Sequence, residues 1–298
     1  MSGAASDVIE IFGELTEWEG AHGAAARARA ADALEDGKVL FFPNLPFRLL
    51  PGEEAFLDPA VADGSRKNIS YDPATGKVAA TSLSGEKAKA LGAMLERFGR
   101  AAEALVRGLF PEYARGLERA RTSYRPVEIS NRPTSPRHDD RRLHVDAFPT
   151  RPMHGRRILR VFSNIAPDGA VRQWEVGEPF PDLARRFFPR LRRPLPGEAA
   201  LLAALGLTKG RRSLYDFYML RLHDGMKLDE GYQQSVPKHA MRFPPGTSWM
   251  VFTDQASHAV KGGRFALEQT FHLPVDCLLH PERAPLRVLE GLAGRSLA

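Results

Sequence analysis

The sequence predicts an α+β fold: a β-rich core of sandwich or jelly-roll type, helical support on its N-terminal side, and a helical insertion within it. Three observations carry this expectation. Short β-rich runs broken by Pro, Gly and Asp recur after residue 121. Two long helix-period segments precede them. One basic, helix-like stretch interrupts the strand rhythm between residues 181 and 213.

In chain order, AAARARAADAL from Ala24 to Leu34 reads as an alanine-rich helix with Arg on its outer face. It ends near Gly37, and KVLFFPNLPF then reads as a buried strand stopped by prolines. Leu91, Met94, Leu95, Phe98, Ala102, Leu105 and Leu109 recur at steps of three and four, which predicts a helix from Glu86 to Phe110. Residues 1–120 therefore read as mainly helical support. Strand-like runs follow in SYRPVEISNRP, RRILRVFSNI, VRQWEVGEPF, SLYDFYMLRLHD, TSWMVFTD and RFALEQTFHL, so residues 121–280 read as the β core. Residues 281–298 form a C-terminal segment, and the 298 residues are expected to make a single domain.

Composition narrows the chemistry. Hydrophobic residues make up 43% and charged residues 26%, and no apolar run is long enough to span a bilayer. The acidic start lacks the basic-then-apolar order of a signal peptide, so a soluble, cytoplasmic protein is expected. With Cys277 as its one cysteine, the chain can form neither an intrachain disulfide nor a thiolate cluster. A protein-bound metal must then rest on His, Asp and Glu, which favours iron, manganese or zinc. The 42 Lys plus Arg exceed the 36 Asp plus Glu, for a net charge of +6. The excess suits an anionic partner, and Arg residues embedded singly in strands suit bidentate carboxylate or phosphate recognition. No nucleic-acid partner is expected.

Two histidines stand in distinctive contexts. His144 and Asp146 form H-V-D before a strong strand, and residues i and i+2 of an extended chain share a face. His258 lies far downstream, where FPPGTSWMVFTDQASHAV runs from a turn through a strand to a small-residue corner. Two His and one carboxylate on one face of an octahedron leave three positions open, which suits iron(II) with an organic co-substrate and dioxygen. A zinc hydrolase is less well supported, because no H-E-x-x-H or equivalent places a general base.

H-V-D with the late His258 resembles the iron(II)- and 2-oxoglutarate-dependent oxygenases. LHVDAFPTRPMHGRRILRVFSNI, VRQWEVGEPF, YDFYMLRLHDGMKLD, FPPGTSWMVFTDQASHAV, FALEQTFHL and the closing APLRVLEGLAGRSL resemble more closely the Kdo hydroxylases, from about Leu34 onward. Those bacterial enzymes hydroxylate the 3-position of 3-deoxy-D-manno-oct-2-ulosonic acid (Kdo) attached to lipid A, giving the sugar Ko. The resemblance implies a distorted double-stranded β-helix, cupin-like core with His144, Asp146 and His258 as iron ligands. It also implies Fe(II) as cofactor, 2-oxoglutarate and O2 as co-substrates, and Kdo-lipid A as partner.

Many oxygenases of this kind hold 2-oxoglutarate with a basic residue about ten positions past the second His, where this chain has Glu268 and Gln269. Arg160, flanked by Leu159 and Val161 in the strand after H-V-D, is the expected anchor, supported by Gln269 or Arg264. Arg125 and Arg172 are candidates for the sugar carboxylate or for 2-oxoglutarate. Arg185, Arg186, Arg190, Arg192, Arg193, Lys209, Arg211 and Arg212, with Phe187, Phe188 and Leu191 among them, resemble an interfacial segment meeting anionic headgroups on the cytoplasmic face of the inner membrane. His223 and Asp224, read on a strand, face opposite ways and make a poor metal pair; His272, Trp174, Trp249 and Asp254 read as structural. The same residues also admit a hydroxylase of another anionic small molecule or protein side chain, or a non-catalytic cupin-like sugar-binding module.

Overall fold

The computed structural model describes residues 8–129 and 134–298. The strand-like run SYRPVEISNRP therefore extends in part outside the described residues. Among them, the strands are β1 (Ile9–Ile11), β2 (Val39–Phe42), β3 (Ile69–Asp72), β4 (Lys77–Ala79), β5 (Glu118–Arg125), β6 (Arg157–Asn164), β7 (Arg172–Val176), β8 (His239–Phe243), β9 (Ser248–Phe252), β10 (His258–Gly262) and β11 (Ala266–Leu273). The large sheet runs β1-β2-β9-β6-β11-β5-β3-β4, and a smaller one runs β10-β7-β8. The two faces of this jelly roll enclose the site, and β6 and β11 pair antiparallel through its middle.

Two helices back the large sheet. Helix α1 (Ala24–Glu35) and helix α2 (Gly85–Leu109) bury one stripe each, and the α2 stripe includes Leu91, Leu95, Phe98, Ala102 and Leu105. The N-terminal region is more than support, because β1 to β4 extend the large sheet at both ends. No helix among the described residues is long and apolar enough to cross a membrane.

The segment between β7 and β8 departs from expectation. Helices α3 (Phe180–Phe187), α4 (Glu198–Ala204), α5 (Leu214–Leu228) and α6 (Glu230–Ser235) fill it, so helical structure runs well past residue 213. SLYDFYMLRLHD is helix, not strand. Its aromatics favour β structure, but Ser213 and Asp216 close a capping box in which each side chain accepts from the other's backbone N–H. Tyr215, Tyr218, Met219, Leu222 and Met226 then bury one helical face. Strand β8, alternately exposed and buried, carries no comparable sequence signal. A last helix, α7 (Pro285–Ala293), packs on α3.

Candidate metal centre

Backbone pairing sets the centre. His144 N–H donates to His258 C=O at 3.0 Å, and His258 N–H returns the bond to His144 C=O at 2.8 Å. Asp146 N–H donates to Thr253 C=O at 2.8 Å. The Gln233 amide of α6 grips Leu143 from both sides, accepting from its N–H and donating to its C=O at 2.9 Å each. Asp216, at the start of α5, accepts from Met153 and His154 N–H and so ties the loop after H-V-D to the helical segment.

With the backbone held, one ligand atom from each of His144, Asp146 and His258 lies within 4.8 Å of the others. His144 Nδ1 faces Arg142 C=O at 2.8 Å, and His258 Nδ1 faces Ala256 C=O at 2.9 Å. A carbonyl only accepts, so Nδ1 carries the proton and each Nε2 presents a lone pair. Burial lowers both imidazole pKa values, keeping the rings neutral as metal ligation requires. Burial opposes ionisation of Asp146, yet the Arg160 guanidinium, helped by a hydrogen bond from the Thr253 side chain, holds its carboxyl well below the usual carboxylate range. This donor set fits a divalent iron with open positions.

The surrounding charges are sorted by strand register. Thr270 pairs with Arg160 across β11 and β6, and Leu267 pairs with Tyr124 across β11 and β5, so one face of the sheet carries Arg125, Arg160 and Glu268 together. Glu268 accepts from Arg125 Nε at 3.0 Å and from Arg160 Nη1. Arg160 Nη2 also lies 2.7 Å from Asp146 Oδ2. The charge of Arg160 is thus matched by two carboxylates, one of them a candidate metal ligand.

Arg172 is different. It is buried, and it donates to Gly263 C=O at 2.6 Å. It forms no direct ion pair among the described residues; burial, with Arg125 beside it, pulls its pKa down to about 9, against the opposing pull of Glu128, Glu268 and Asp140. Gly263 has φ +101°, and a Cβ there would stand 2.8 Å from Arg172 Cα, so only glycine allows this approach. Trp174 stacks on His258 at 5.2 Å, and its buried Nε1 has no hydrogen-bond partner among the described residues. These groups, with Arg125, Asp140, Phe162 and Thr253, line a cavity of about 210 Å³ at the ligand triad.

The chain matches the family model for 3-deoxy-D-manno-oct-2-ulosonic acid (Kdo) hydroxylase over residues 17–296. It belongs to the Kdo hydroxylase family. Its fold is that of the Kdo hydroxylase KdoO, a non-haem Fe(II) α-ketoglutarate-dependent dioxygenase. The complex of that enzyme with α-ketoglutarate and Fe(III) matches at 48% identity with a TM-score of 0.94, over 98% of this chain and 97% of that one. Its cobalt(II) complex matches at 49% and 0.94, and its succinate and Fe(III) complex at 49% and 0.93, each over 97% of both chains. No curated protein matches the chain.

Of the sequence-derived candidates for this Kdo hydroxylase, His144, Asp146, His258, Arg160, Arg125 and Arg172 converge on the cavity. Gln269 does not. Its side chain lies on the opposite sheet face beneath α2, bonded to Thr122 and to Ala120 C=O. Arg264 is exposed and paired with Asp168. The sequence reading underrates two residues and misses a third. Trp174 walls the cavity rather than serving the core alone. His223 sits on helix α5, not a strand, and meets His144 edge-on at 5.4 Å. Asp140 is held charged, against its burial, chiefly by Lys67 and Lys227. The alternation R-Q-W, which puts Arg172 and Trp174 on one face of a strand, was the available signal for Trp174.

Proposed function

We propose that this chain is an Fe(II)- and 2-oxoglutarate-dependent dioxygenase that hydroxylates the 3-position of Kdo on Kdo-lipid A, giving Ko. The observation that carries the reading is the neutral His pair with Asp146 beside the buried Arg172 at one cavity, in a chain of the Kdo hydroxylase family. His144 Nε2, His258 Nε2 and an Asp146 oxygen would hold the iron. Dioxygen is the oxidant, which bound iron would activate: one oxygen atom would go to succinate as 2-oxoglutarate is oxidised and loses CO2, and the other to the substrate C–H.

The chain's own residues bind, orient and exclude water. Arg172, with Arg125, holds the distal carboxylate of 2-oxoglutarate, because a buried guanidinium in no direct ion pair favours an incoming anion. Trp174 Nε1 offers a further donor. Arg160 passes from expected anchor to positioning residue: bound to Asp146 and Glu268, it fixes the carboxylate ligand. Arg172→Met should raise the KM for 2-oxoglutarate roughly 10- to 100-fold, the worth of a buried charge-assisted contact. Succinate formation titrated against 2-oxoglutarate checks this, and an unchanged KM would reassign the anchor.

The test of the reading is mass spectrometry of Kdo-lipid A incubated with iron-loaded enzyme, 2-oxoglutarate and O2. An oxygen-sized mass gain on the Kdo unit is expected, and its absence with folded enzyme rejects the substrate.

The lipid-linked substrate also gives the insertion a role at an anionic membrane surface on the cytoplasmic side. Phe187 is buried and Phe188 and Leu191 pack on the core, so they are not the contact. Leu195, Leu201, Leu205 and Leu207 are instead 57–74% exposed, near exposed Arg192, Arg193 and Arg211. Leu201→Ser with Leu205→Ser should weaken binding to anionic phospholipid vesicles at least about tenfold, since each buried Leu contributes roughly 1.5–3 kcal/mol. Co-sedimentation measures it, and equal binding by both proteins rejects the surface.

A further inference from the structure

Beyond Arg160 the inner face of the large sheet continues into a second cavity of about 550 Å³, a size that suits a small ligand. Arg160 and Asn68 belong to the walls of both cavities, so the second one opens beside the carboxylate ligand Asp146. Its floor is built by β11 and β5, which present Thr270, His272 and Ser123. The loop after H-V-D and the connection between α4 and α5 add Arg151 and Lys209 to its walls, and β5 adds Arg121. Lys209 N–H is anchored to Thr150 C=O at 2.8 Å.

His272 is the unusual member. Its side chain is 3% exposed, and neither ring nitrogen has a hydrogen-bond partner. The Glu118 carboxylate stands 3.9 Å from Nδ1, outside hydrogen-bond range. Burial pushes the imidazole down to about 4, so the neutral ring offers one N–H donor and one lone pair, the complement of a hydroxyl group. A buried polar ring left unsatisfied costs free energy that a ligand's hydroxyl would recover. The cations beyond it are only loosely committed: Arg121 reaches Asp72 at 3.5 Å and Arg151 reaches Glu118 at 3.1 Å, both half exposed.

We infer that this groove is the acceptor subsite, in which His272, Thr270 and Ser123 receive hydroxyls of an anionic sugar acid and Arg121, Arg151 and Lys209 receive its anionic group. The inference rests on the hydroxylase reading and adds where the acceptor lies. Arg160 then divides the two ligands: 2-oxoglutarate on the Arg172 side, acceptor on the His272 side. The insertion that exposes leucines also supplies Lys209, so one segment would meet the lipid and the sugar.

The experiment compares wild type, Arg151→Ala with Lys209→Ala, and His272→Phe. Each is loaded with Co(II), and binding of Kdo-lipid A in detergent micelles and of 2-oxoglutarate is measured by calorimetry; the iron enzyme is assayed in parallel for acceptor KM. The exposed double variant should raise the acceptor Kd and KM at least about tenfold, and His272→Phe should do likewise, with 2-oxoglutarate affinity retained. Dephosphorylated Kdo-lipid A separates the sources of the anion: a defect that persists assigns the cations to the sugar carboxylate, and one that vanishes assigns them to lipid phosphate. Wild-type acceptor constants in the double variant overturn the inference even if His272→Phe fails to fold. Wild-type enzyme that leaves every Kdo acceptor unmodified overturns the functional reading instead.

Discussion

His258→Ala is expected to lose Co(II) and Fe(II) binding by at least about 100-fold and to form no detectable succinate. Loss of groups that merely orient metal ligands already costs 10- to 100-fold, and this substitution removes a ligand. The backbone exchange between His258 and His144 does not involve the ring, so the corner persists. What is lost is Nε2, along with the stacked contact to Trp174. Titration with Co(II), followed by its visible absorption, reads the loss without relying on turnover. Circular dichroism checks that the variant is folded. Tight Co(II) binding by the folded variant would remove His258 from the ligand set.

The ligand triad was legible because its signals are local. H-V-D needs only an extended backbone to bring two ligands to one face, and the run to His258 announces a strand and a corner. The partition of charge around the triad was not legible. Arg125, Arg160 and Arg172 look alike in sequence, each a single Arg in a strand. Which is neutralised depends on the register that sets Glu268 between β5 and β6. That register gives Arg160 two carboxylates and leaves Arg172 with a backbone carbonyl. Helix α5 was misread for a related reason: Tyr215, Phe217 and Tyr218 carry β preference, whereas the S-x-x-D capping signal is two residues in a long run. The misreading hid His223, whose approach to His144 exists only on a helix. His272 reads as structural in the sequence, because burial without a partner is a property of the folded environment alone.

Arg157→Ala is expected to destabilise the fold by about 3–5 kcal/mol, the range for stripping one partner from a buried ion pair. Arg157 is fully buried, donates from Nε to Asp254 Oδ2 at 2.7 Å and from Nη2 to Gln255 Oε1 at 2.6 Å, and lies 3.8 Å over the Phe252 ring. Gln255 in turn donates to Glu35 C=O at 3.0 Å, joining the turn to α1. Burial already pushes the Asp254 carboxyl up, and Arg157 opposes that shift. Without Arg157 the folded-state pKa rises further above the unfolded value. The sign follows: the deficit relative to wild type is smallest where Asp254 is protonated in both folded proteins, and it grows as pH climbs from the wild-type folded value to the variant's higher one. Urea unfolding of wild type and variant at acidic and neutral pH measures both quantities. Arg157→Met with Asp254→Leu should recover much of the loss, since no charge is then stranded. The same turn carries Thr253, whose carbonyl holds Asp146 N–H, and ends at His258. Metal affinity should therefore fall with stability in the single variant and return in the double. Recovery of stability without recovery of Co(II) affinity would separate the buried pair from the positioning of the ligands.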